Sequence, residues 1–176
     1  SDIYISINGI FTIRDLPQTI NAYLSKYYPL YFKAPSKEIS NQDFTFQAKL
    51  KYIDQYLPLL SSNIRGLDNS EINGRINTTE EEFVLNAKIP YLAFGKQEVR
   101  DFNLEGLGDL DSLRLVASAA MIVINDSLQI PASKITIRSS GDVSAINLTT
   151  SADQTRHFAN LSLSMRNLKD GIRLNF

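Results

Sequence analysis

A single histidine and no cysteine among 176 residues restrict the chemistry open to this chain. The histidine is His157, in Thr155-Arg156-His157-Phe158. With no second His and no Cys to complete a ligand set it is a poor metal ligand. No Ser and Asp stand around it at a spacing that forms a nucleophilic triad, so it reads as a strand-edge side chain. Thr79-Glu80-Glu81-Glu82 is an acidic run between two strand patterns and reads as a solvated turn. Asp109 and Asp111 would supply half of a Ca²⁺ loop, but the series of ligands does not continue. Gly106-Leu107-Gly108 lacks the third glycine and following helix of a phosphate-binding turn. These patterns support no catalysis, metal or cofactor, and a non-enzymatic protein is expected.

Composition removes further classes. Lys+Arg 18 against Asp+Glu 19 gives a net charge of -1, without the basic excess that phosphate contacts need, so no nucleic-acid partner is expected. A hydrophobic content of 43% is incompatible with disorder at that charge. The longest uncharged apolar run, Leu115 to Asn125, is broken by Ser118 and too short to span a bilayer as a helix. Both ends, Ser1-Asp2-Ile3-Tyr4 and Ile172-Arg173-Leu174-Asn175-Phe176, lie in strand patterns, with no initiating Met. Residues 1–176 therefore read as a single β-rich segment of a longer protein.

Period-two alternation dominates the chain. Ile3, Ile5 and Ile7 oppose Tyr4, Ser6 and Asn8, because successive strand side chains point to opposite faces. Phe44/Phe46, Phe83/Leu85, Phe102/Leu104, Leu113/Leu115, Ile122/Ile124, Ile135/Ile137, Ile146/Leu148 and Leu161/Leu163 repeat it. One apolar and one polar face mark an antiparallel sheet. Turns are expected at Asn73-Gly74, Glu105 to Asp109, Ser139 to Asp142, Ser151 to Asp153 and Lys169 to Gly171. The isolated Gly9, Gly74 and Gly106 are expected to mark bulges.

Two stretches, 15–32 and 53–63, read as helical. Asp15 is placed to cap the first, with Pro17 in its first turn. Ile20, Leu24, Tyr27 and Tyr28 form its apolar stripe, and Pro29 stops it. The second carries Tyr56, Leu57, Leu59 and Leu60 around Pro58. About ten strands at about 4.8 Å spacing make a sheet close to 50 Å wide, which two short helices cannot cover. Three outcomes remain: a sandwich, a closed barrel, or a curled open trough whose greasy inside binds an apolar ligand.

Gly66-Leu67-Asp68-Asn69-Ser70-Glu71-Ile72-Asn73-Gly74, Ile89-Pro90-Tyr91-Leu92-Ala93-Phe94-Gly95 and Phe102 through Leu113 resemble TamB-type translocation and assembly proteins of double-membrane bacteria. So does the closing run from Ser139-Ser140-Gly141-Asp142-Val143 to Phe176. The resemblance covers about residues 44–176. It implies a mostly β, curled antiparallel sheet forming an open, taco-like trough, to which the residues themselves add one or two short helices near the N-terminus that depart from a plain groove pattern. It also implies a periplasmic section of an AsmA-like protein anchored in the inner membrane, carrying phospholipid between the inner and outer membranes in outer-membrane biogenesis. Partners implied are phospholipid acyl chains, a TamA-like outer-membrane protein and unfolded outer-membrane proteins. The family has no catalytic residues to carry over. What transfers is a lipid-binding face: Phe44, Phe46, Phe83, Leu85, Phe102, Leu104, Leu113, Leu115, Ile135, Ile137, Ile146, Leu148, Leu161 and Leu163. The alternative is a scaffold whose edge strands, Ile3–Ile7 and Ile172–Phe176, pair with client strands. The helix-like stretches leave open whether residues 15–60 continue the trough, plug it or cap it.

Overall fold

The computed structural model describes residues 2–28, 31–36, 40–151, 158–168 and 171–176. Pro29, the stretch 152–157 with His157, and Lys169-Asp170 lie outside the described residues. The strands are β1 (Ile3–Ile10), β2 (Asp43–Leu50), β3 (Ile64–Gly66), β4 (Ser70–Asn77), β5 (Glu82–Phe94), β6 (Gln97–Gly108), β7 (Ser112–Asn125), β8 (Leu128–Ser140), β9 (Val143–Ser151), β10 (Phe158–Leu168) and β11 (Gly171–Asn175). All eleven form one antiparallel sheet, ordered β1-β2-β4-β5-β6-β7-β8-β9-β10-β11, with the short β3 beside β5. The path is open: β1 pairs with β2 and β11 with β10, so the sheet does not close into a barrel. The alternating Ile, Val, Thr, Phe and Tyr of these segments favour strands, since branched and aromatic side chains pack well on a pleated surface.

Several turns fall elsewhere than their glycines indicate. Asn73-Gly74 is mid-strand in β4, and Glu105 to Gly108 ends β6. Gly74 is no bulge either, because it pairs in register with Phe46 and Leu85. Its role is close approach: a Cβ there would lie 2.3 Å from the Val84 carbonyl oxygen and 2.6 Å from Phe46 Cζ. Gly9 also pairs in register, opposite Phe44. The β4–β5 turn is built instead by Asn77, whose Oδ1 accepts from Thr79 N and Glu80 N, both at 2.9 Å. The Glu80–Glu82 run belongs to that turn and the start of β5. Asp109 makes the β6–β7 turn, its Oδ1 accepting from Asp111 N at 2.7 Å and Ser112 N at 2.5 Å. These bonds hold its carboxyl below the usual carboxylate range.

The first helix, α1, spans Leu16–Tyr27 behind a 3-10 turn at Ile13–Asp15, and so is shorter than 15–32. The second, α2, is a single turn, Leu57–Leu60. Pro17 sits in the first turn of α1, but Asp15 makes no side-chain cap there. The 3-10 turn leads straight into the helix, and the Asp15 carboxylate accepts from Ser40 Oγ at 2.6 Å instead. No helix among the described residues is long and apolar enough to cross a membrane.

Candidate functional site

Cross-strand register decides which residues share a face. One row runs through Phe44, Ile76, Phe83, Gly108 and Leu113. A second runs through Phe46, Gly74, Leu85, Gly106, Leu115, Ile137, Ile146 and Leu163. A third runs through Ala48, Ile72, Ala87, Leu104, Ala117, Ile135, Leu148 and Leu161. Phe102, opposite Ile89 and two residues from Leu104, extends the same surface. All the residues expected on the apolar face therefore stand on one side of the sheet. Ile72, Ile76, Ala87 and Ala117 join them, as do Ile5 and Ile7 of β1. The reverse side is polar, with Lys49 Nζ 3.5 Å from Glu71, Arg75 Nη2 3.1 Å from Asp43, and Asn86 donating to Asn73 at 3.3 Å.

Helix α1 covers one end of this apolar side. Tyr23, Phe44 and Ile76 form a buried cluster, with Phe11, Leu16, Phe46, Phe83 and Leu110 packed against it. The buried side of the helix is Thr19, Tyr23, Ser25 and Tyr27, whereas Ile20 of the expected stripe is exposed. The reason lies in the surface beneath. The helix rests on hairpin ends that present backbone carbonyls, and tyrosine offers both an apolar ring and a donor. Tyr23 Oη donates to the carbonyls of Asn77 at 3.0 Å and Glu82 at 3.2 Å. Tyr27 Oη donates to those of Asp109 and, at 2.7 Å, Ser112. Burial first, and the carboxylates of Glu81, Glu82 and Asp109 next, push the Tyr23 hydroxyl up to about 12. Burial and then Asp109 and Asp111 push Tyr27 up as well.

The helix also fixes the direction of curl. Asn167 Nδ2, on β10, donates to the Tyr27 carbonyl at 2.8 Å. Tyr23 reaches β4, six strands away, about 29 Å along a flat sheet at about 4.8 Å per step. Tyr23 and Tyr27 are one turn apart, about 6 Å along the axis. So short a span meets both strands only if the sheet wraps around the helix, which puts the apolar rows on the inside of the curve. At this end α1 is a cap; α2 lies at the other end, next to β3, which pairs with Leu92 to Phe94.

The inner face changes phase partway along. Val99 and Phe102, three residues apart, line one small hollow with Ala119 and Ile122, also three apart. Strict alternation forbids this. Between these positions the paired register skips Pro90, Asp101, Ala120 and Ala132, and Asp101 (φ 50) and Ala132 (φ 40) adopt left-handed backbone. Pro90 has no N–H to give the ladder, so the row is where pairing lapses and the strands turn over. The two apolar pairs of β7, Leu113/Leu115 and Ile122/Ile124, already differ in parity in the sequence. The outcome is one continuous apolar surface on which most side chains remain half-buried, and Leu161 is 44% exposed.

Fold and face together define an open, single-layer β-groove with a helical cap. No family model, curated protein or solved structure matches the chain.

Proposed function

We propose that the chain is a section of a hydrophobic groove that carries phospholipid, acyl chains against the inner face and headgroups in water. The observation that carries this reading is the apolar surface on the inside of the curve, aligned strand by strand, with α1 packed over one end of it. Each acyl CH₂ buried there gains about 0.8 kcal/mol. Such contacts hold a chain without fixing its position, which lets lipid slide. The TamB-type resemblance extends the reading to a periplasmic bridge between inner and outer membranes, working with a TamA-like partner.

Native mass spectrometry of the purified chain tests it: co-purified phospholipid is expected. Leu148→Glu, which places a charge in the third row, is expected to abolish loading while the far-UV spectrum is kept. A folded variant that loads lipid normally would overturn the groove assignment. A second reading, assembly of outer-membrane proteins by strand addition, is favoured by the one-sided pairing of β1 and β11. It predicts crosslinks from these edge strands to an unfolded outer-membrane protein, undiminished by Leu148→Glu.

A further inference from the structure

A hollow of about 670 Å³ lies across the β5–β9 ends of the sheet, mainly on the polar side, with Phe83 and Leu113 of the apolar face also in its lining. Val84, Leu107, Arg114, Arg138 and Ala145 line it, and these five stand in one continuous cross-strand row. Arg114 and Arg138 are direct partners across β7 and β8. Like charges so placed repel, and among the described residues neither makes an ion pair. The carboxylates at the rim are engaged elsewhere. Glu82 Oε2 lies 3.2 Å from Arg75, and Asp109 accepts from Asp111 N, Ser112 N and Ser112 Oγ. Strands β7 to β11 contain Arg114, Lys134, Arg138, Arg166 and Arg173 and neither Asp nor Glu, while Asp109, Asp111 and Asp142 stand in the turns beside the hollow.

We propose that this hollow binds a phosphate ester carried on an apolar body. Two adjacent guanidinium forks match phosphate oxygens bidentately, and Val84, Leu107 and Ala145 cover the neighbouring apolar part of the ligand. The two arginines stand on the face opposite the groove rows.

The test follows the Nε–Hε signals of Arg114 and Arg138 by NMR during titration with dihexanoyl phosphatidic acid below its micellar concentration, and separately with inorganic phosphate. Saturable shifts at both arginines are expected with the lipid, at least about tenfold tighter than with phosphate. Arg114→Gln with Arg138→Gln is expected to weaken lipid binding by at least about tenfold. Leu148→Glu, on the other face, is expected to leave it unchanged, so a failed groove does not imitate a failed anion site. Equal affinity for inorganic phosphate would overturn the apolar part of the proposal and leave a free anion as ligand. Absence of saturable shifts in the unaltered chain, or full binding by the folded double variant, would overturn the site.

Discussion

Two tyrosines and one glycine show how individual residues hold this sheet. Tyr23 and Tyr27 stay protonated in the fold at pH values where an unfolded tyrosine ionises, near about 10. Their raised values favour the folded state fully below about 10, and that contribution is lost as pH rises through about 12 for Tyr23. Stability is therefore expected to fall steeply between those limits in urea titrations at stepped pH. Tyr27→Phe should flatten the fall and cost about 1 kcal/mol at neutral pH through the donor it removes. A profile that is flat across the window would show that these hydroxyls are not buried as described. Gly74 acts through space. With the Val84 carbonyl and the Phe46 ring inside contact distance of any Cβ, Gly74→Ala is expected to cost about 1–3 kcal/mol by overpacking. Chemical denaturation would read this directly.

At the scale of elements, α1 joins strands that are far apart in sequence and in the sheet. It meets β4 and β5 through Tyr23, the β6–β7 turn through Tyr27, and β10 through Asn167. Asn167 is buried, and its backbone N–H donates to Asp142 at 2.8 Å. Asn167→Ala removes the donor to the helix without touching that backbone bond. Faster hydrogen exchange in the last turn of α1 and in β10 is the expected outcome, with β5 to β7 unchanged. Exchange that stays slow throughout would mean the apolar cluster alone holds the helix. The paired glycines and misplaced turns belong to this scale too. A glycine chosen for close packing and one chosen for a turn look identical in sequence, so Asn73-Gly74 reads as a turn although it sits mid-strand.

The whole molecule is one sheet with two unlike surfaces, and each surface carries its own binding prediction. On the inner one, rows of aliphatic side chains stay half-buried, and among the described residues the buried aromatic cluster under α1 covers one end of them. Large exposed apolar patches mark binding sites, and lipid retention with its loss in Leu148→Glu is the measurement that decides it. On the outer one, Arg114 and Arg138 meet across a strand boundary and, among the described residues, neither makes an ion pair, a charge arrangement that a bound anion would neutralise.

The amino-acid sequence alone determined the strand content, the antiparallel class and the membership of the apolar face, because side-chain direction alternates with the backbone whatever the strands later do. It also carried the phase change in β7, visible as the shift from Leu113/Leu115 to Ile122/Ile124. Only the tertiary structure decided that the sheet stays open, that it curls around α1, that Tyr23 rather than Ile20 faces inward, and that Arg114 meets Arg138. These depend on pairing between strands and on what each surface rests against, and alternation within one strand holds no record of either.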